Sequence, residues 1–161
     1  MKREILILAA GLTALAAHAD PITPSQAEDV IEAAGATLSA SEASGEFSHA
    51  IDARIGDVNI TVRLGGCDAD TGLCNYAMMF STFDLGQKAN EQTLFKTNSY
   101  NDSYPFGRAF VIPGQDDSGD IVGVDYVIDL SGEASLDPED IGMFQEILSS
   151  YVTHWTGTNA Q

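Results

Sequence analysis

The sequence predicts an α+β domain, one antiparallel sheet with helices packed on it, in the order α-β-β-β-α-β-β-α. Three observations carry this. Val58-Asn59-Ile60-Thr61-Val62-Arg63-Leu64 alternates apolar and polar residues, the period-two signature of a strand with one buried face. Two helix starts are written out in full, Thr23-Pro24-Ser25-Gln26 and Asp137-Pro138-Glu139-Asp140. Short turn clusters, Gly56-Asp57 and Gly114 to Asp120, separate neighbouring strand patterns as hairpin connections do.

In chain order, Thr23 caps the first helix, Pro24 opens it and Gln26 closes a capping box. Ala27, Val30, Ile31 and Ala34 fall on one face, and Gly35 stops the run. Phe47 to Ile55 reads as a strand, turned by Gly56-Asp57 into the alternating strand that ends at Leu64. Tyr76 to Phe83 is apolar on both faces and so reads as a central strand. Asn90 caps a helix through Leu94 and Phe95 to about Tyr100, which Pro105 ends. Phe106 to Ile112 and Ile121 to Leu130 form a second hairpin. The last helix has Asp140 near its positive dipole end and an apolar stripe of Ile141, Phe144, Ile147, Leu148, Tyr151, Val152 and Trp155. Residues 157–161 read as a frayed tail.

Ahead of this domain, residues 1–19 have the layout of an export signal. Lys2 and Arg3 precede an apolar run from Ile5 to Ala17, and Ala17-His18-Ala19 is a small-x-small cleavage site. The run is shorter than the roughly 20 residues that span a bilayer. Cleavage after Ala19 predicts a periplasmic or secreted protein with a single domain over 20–156. It also takes the seven basic and 24 acidic residues to five and 23. Such a balance repels phosphate backbones and anionic lipid, so neither nucleic-acid binding nor membrane insertion is expected. The charge keeps an exported chain soluble.

Cys67 and Cys74 are the only cysteines. An exported pair bracketing one strand connection is expected to be oxidised, as a staple rather than a redox centre, because the spacing is not CxxC. Asp68-Ala69-Asp70-Thr71-Gly72 starts like a calcium loop but lacks the third oxygen ligand and the distal glutamate, and reads as an Asx-rich turn. His49 and His154 stand in no metal-ligand pattern, so no metal or cofactor is expected. Ser48-His49 are sequence neighbours, which defines no dyad, and no G-x-S-x-G elbow occurs. Tyr100, Tyr104 and Phe106 gather near Arg108; Phe106 reads as core with the tyrosines sealing a loop over it. The alternative makes Tyr100, Tyr104 and Arg108 a partner contact, since Tyr and Arg are enriched at hot spots.

Gly66-Cys67, Asn98, Phe106-Gly107-Arg108-Ala109-Phe110 and Asp125-Tyr126-Val127-Ile128-Asp129-Leu130 together resemble the YbjN family, over roughly Ile22 to Trp155. At the end of the middle helix, where family members carry a Trp-Asn pair and basic residues, this chain has Thr97-Asn98-Ser99-Tyr100-Asn101-Asp102. The resemblance implies a fold similar to that of type III secretion chaperones and a small binding or regulatory module without catalytic machinery.

The expected function is therefore a non-enzymatic exported module that engages a protein or peptide, with a second copy of the chain as another candidate partner. The competing reading is a small exported hydrolase or an inhibitor-like protein whose acidic surface recognises a cationic partner.

Overall fold

A computed structural model describes residues 21–157 except 47, 116, 117 and 133. The expected export signal, the expected strand start at Phe47, the tip of the acidic turn and the tail beyond Gly157 lie outside the described residues.

The elements run α1 (Pro24–Ala33), β1 (Thr37–Gly45), β2 (Ser48–Ile55), β3 (Val58–Gly65), β4 (Tyr76–Asp84), α2 (Glu91–Ser103), β5 (Arg108–Ile112), β6 (Ile121–Asp129) and α3 (Pro138–Thr156). The expected order holds, with one further strand, β1, inserted between α1 and the first expected strand. Its sequence, TLSASEASG, is small, polar and almost wholly exposed. It lacks the apolar alternation that announces a strand, and pairing with β2 alone holds it there.

The six strands form one sheet in the order β1-β2-β3-β4-β6-β5, every neighbouring pair antiparallel. β4 is indeed central. Ile55 pairs with Val58 across a two-residue turn whose first residue, Gly56, has φ +58°, the backbone such hairpins require. The three helices share one side of the sheet: α1 lies against β1 and β2, α3 against β6, α2 against β5, and α3 touches both other helices. Between the layers is one core, in which Ile31, Ile51, Val62, Met79, Val124, Ile141 and Phe144 are fully enclosed.

All three helix starts carry reciprocal capping boxes, Thr23 with Gln26, Asn90 with Thr93, and Asp137 with Asp140. α2 departs from expectation in the face it buries. Thr93, Thr97 and Tyr100 point inward, while Leu94 and Phe95 are exposed.

Both sheet edges are guarded. β1 pairs through two register shifts, between Leu38 and Ala40 and between Ala43 and Gly45. β5 is five residues long, and the Asn101 carboxamide occupies the backbone of Ala109, accepting from its N–H at 2.7 Å and donating to its carbonyl at 3.1 Å.

Candidate functional site

The side of the sheet away from the helices carries the most developed surface of the molecule. Antiparallel register puts directly paired residues on the same face. Met78 pairs with Arg63 and Val127, Phe80 with Thr61 and Asp125, and Asp125 with Arg108. With Phe110 and Tyr76 these residues make an apolar band across β5, β6, β4 and β3, half-buried at Met78, Phe80 and Phe110 and exposed at Val127 and Tyr76.

Two glycines flatten this band. A Cβ on Gly65 would lie 2.1 Å from the Tyr76 ring, and one on Gly123 would lie 2.5 Å from the Phe110 ring. Each aromatic therefore lies across a neighbouring strand whose residue has no side chain, an arrangement that covers bare backbone and fixes the ring. The Arg63 guanidinium sits 5.3 Å from the centre of the Phe80 ring. Arg108 donates to Asp125 at 2.6 Å; the carboxylate is buried and the guanidinium is largely open to solvent. That hydrogen bond and charge hold Arg108 more firmly protonated than usual. Beside Phe80, Asp52 accepts from Thr61 at 2.6 Å, and with Asn59 and Thr82 the pair lines a polar depression of about 480 Å³. Of the five cationic residues beyond residue 19, Arg54, Arg63 and Arg108 stand on this face.

The three residues expected to form one contact are separated. Tyr100 is fully buried among the helices; its hydroxyl lies 3.3 Å from the Ile147 carbonyl and 3.2 Å from Ser150 Oγ. Burial raises its pKa, a shift the Ser150 hydrogen bond partly offsets. Tyr104 stacks on Tyr100 with ring centres 4.5 Å apart, and Arg108 projects on the opposite side of the sheet. The roles of Tyr100 and Phe106 are thereby exchanged: the tyrosine is core, and Phe106 is 55% exposed. The cause is Gly107, at φ +77°, where a Cβ would come within 2.5 Å of Ile147. The chain turns so tightly against α3 there that Phe106 is left outside.

Cys67 and Cys74 are disulfide-bonded across the β3–β4 connection. Cys74 is buried and also forms a two-hydrogen-bond bridge with Ile22, at 2.9 and 3.1 Å, which ties the start of the described chain to the loop. Asp68 accepts from the Asp70 and Thr71 amides and the Thr71 hydroxyl, so its oxygen serves a turn; these bonds lower its pKa, the Thr71 amide most. Among the described residues no group of three or more His, Cys, Asp or Glu is placed to hold a metal ion.

Serine and histidine do meet, though not as neighbours in sequence. Ser48 pairs with Ser44, whereas Ser41 Oγ lies 2.7 Å from His49 Nε2 and also donates to Glu28. The hydroxyl stands between acid and imidazole. A hydrolytic relay needs the imidazole in the middle. His154 is bound to the Lys96 carbonyl at 2.9 Å, while Lys96 Nζ reaches the Trp155 carbonyl at 2.6 Å, which joins α2 to α3.

A family profile described as "Putative bacterial sensory transduction regulator", YbjN, matches residues 22–152. The chain belongs to the YbjN family. That span covers every element from α1 through most of α3, including the helix-free face and the stapled loop. A solved structure to which the chain is similar is that of YbjN, a putative transcription regulator from E. coli, at 10% identity and TM-score 0.49, covering 83% of this chain and 90% of that one. No curated protein matches the chain in sequence.

The YbjN segment FGRAF owes its glycine to the turn against α3 and its arginine to the Asp125 pair. Sequence reasoning missed Tyr76, Phe80 and Phe110 as surface residues. For Tyr76 and Phe80 the signal was the second apolar face of β4, which reads as burial on both sides when no partner layer is specified.

Proposed function

We propose that this YbjN protein is a non-enzymatic, exported binding module whose helix-free sheet face takes up an apolar segment of a partner protein flanked by carboxylates. The observation that carries the reading is the band of Tyr76, Met78, Phe80, Phe110 and Val127 with Arg63 and Arg108 set into it. Tyr, Phe, Met and Arg are the residue types enriched where proteins meet. Charge selects the occupant. In a chain of formal charge −17, the face gathers three of the few cations; Arg54 and Arg108 are paired with Asp57 and Asp125, and Arg63, over the Phe80 ring, is the cation set toward an acidic flank. The export signal, the oxidised cysteine pair and the acidic balance support an extracytoplasmic setting.

The test uses two synthetic peptides with the same Leu/Phe centre, one flanked by glutamates and one by lysines, titrated into the isotopically labelled protein. The Glu-flanked peptide should bind saturably, with shift changes confined to β3, β4, β5 and β6, and Arg63→Glu should weaken it about tenfold. Tighter binding of the Lys-flanked peptide would return the acidic-surface reading. Shift changes confined to the helical side, or a homodimer closed through this face without peptide, would overturn the choice of occupant.

A further inference from the structure

On the helix-free face the sheet parts at one place. The β3–β4 ladder runs from Gly65 and Tyr76 to Thr61 and Phe80 and stops there, although β3 begins at Val58 and β4 continues to Asp84. β3 stays paired with β2 and β4 with β6, and across the opening the Ser81 hydroxyl donates to the Asn59 carbonyl at 2.8 Å. A second irregularity lies beside it. Ser39 is the extra residue of a bulge in β1, between Leu38 and Ala40, and its hydroxyl donates to the Asp52 carbonyl at 3.1 Å. Bulges re-aim side chains, and this one brings Ser39 to the opening. The two irregularities together make the polar depression of about 480 Å³, with Ser39, Asp52, Asn59, Thr61 and Thr82 around it and Phe80 as its aromatic wall.

The hydrogen-bonding capacity left over is what a ligand would use. Thr61 occupies one carboxylate oxygen of Asp52 at 2.6 Å, and the other has no partner among the described residues. The Asn59 carboxamide and the Thr82 hydroxyl have none either. We infer that the depression is a binding site for a neutral saccharide of one or two rings. Size sets the first limit. A cavity of about 150 Å³ holds one benzene ring and small-molecule sites begin near 300 Å³, so about 480 Å³ has room for two sugar rings. Chemistry sets the second. A carboxylate only accepts, while a carboxamide and a hydroxyl both donate and accept, so the occupant carries several hydroxyls; its C–H surface is left for Phe80. Charge sets the third. Asp52 lines the depression, Arg63 stands over the Phe80 ring at 5.3 Å, and Arg54 is tied to Asp57. With one carboxylate and one guanidinium beside it, the site favours neither an acid nor an amine over a neutral ring. The depression shares Phe80 with the apolar band and otherwise lies outside it, so this inference goes beyond the peptide reading and can fail without it.

The test titrates maltose, lactose and N,N′-diacetylchitobiose, each in turn, into the isotopically labelled protein. At least one should bind saturably with Kd about 1 mM, the range a few hydrogen bonds reach, and move the amides of Asp52, Asn59 and Thr82. Asn59→Ala, at an exposed position, should weaken that sugar about fivefold. Asp52→Asn, which turns a ligand-facing acceptor into a donor, should weaken it about tenfold. Thermal melts of both variants should match the parent protein to within a few degrees. The Glu-flanked peptide should bind the Asn59→Ala protein as it binds the parent, which separates the two sites. Failure of all three sugars to bind would overturn the proposal. So would a sugar whose shift changes centre on Tyr76, Met78 and Val127, or tighter binding of glucuronate or glucosamine than of glucose.

Discussion

Asp120 ties the two ends of the β4–α2 connection to the β5–β6 turn. Its carboxylate accepts from the amides of Ala89 and Gly114 at 2.9 and 3.0 Å, its backbone exchanges hydrogen bonds with Leu85 and Gln87, and Lys88 stands 3.4 Å away. Those bonds, the Ala89 amide foremost, lower its pKa. A carboxylate whose folded pKa lies below its unfolded value, about 3.9, stabilises the fold fully above that value and less as pH falls through the folded one. Asp120→Asn should therefore lower the thermal midpoint at pH 7, and the gap from the parent protein should close below about pH 4. Melting curves across pH 3 to 7 check both. The glycines allow a second test. Gly123→Ala forces Cβ against the Phe110 ring and the Ser81 carbonyl, 2.6 Å away, and should cost about 1–3 kcal/mol in urea unfolding. At Gly132 nothing lies within 4 Å, and alanine there should change stability by less than about 0.5 kcal/mol. None of this was legible beforehand: Asp120 reads as one more acidic turn residue, and nothing in the pattern of the Ile121 to Leu130 strand singles out Gly123. A contact between side chains distant in sequence leaves no local pattern.

Among the elements, the ones with their own signals were found and the one without was missed. Capping residues and period-three-to-four stripes located α1 and α3, and alternation located β3, because those signals are local consequences of helix and strand geometry. β1 is a strand only by virtue of β2, so nothing within Thr37–Gly45 announces it. The stapled β3–β4 connection belongs to this scale as well. A closed loop of eight residues is worth about 2.5 kcal/mol in chain entropy. Cys67→Ser should lower the thermal midpoint accordingly and make Cys74, buried in the folded protein, open to alkylation on unfolding. The Ile22 bridge adds a readout: amide exchange at Ile22 should quicken in the variant while β5 and β6 keep their protection. Protein recovered from the periplasm with two free thiols would overturn the staple.

At the scale of the whole molecule, charge and layering act together. With 24 acidic residues against seven basic ones, self-repulsion destabilises the compact state, and salt screens it within about 8 Å at 0.15 M. Raising sodium chloride from low ionic strength to about 0.3 M should raise the thermal midpoint; a fall would show that the Arg108–Asp125 and Lys88–Asp120 pairs outweigh the repulsion. The layering was only half legible. The sequence pattern showed which residues of each strand share a face, but not that all helices would lie on one of the two. The apolar residues of β4 were therefore placed correctly in a central strand, and half of them wrongly in an enclosed core. The misplacement of Tyr100 and Phe106 has the same origin, since a single left-handed glycine decides which aromatic turns inward.

The two guarded edges also bear on life in a crowded compartment. β1 presents a doubly bulged rim, and the Asn101 carboxamide occupies part of the outer rim of β5, so neither offers a straight row of unpaired amides to a second strand. Edge-to-edge addition of a strand from a second molecule is discouraged at both ends. Asn101→Ala, which bares the Ala109 backbone, would be the first place to look for the loss of that restraint.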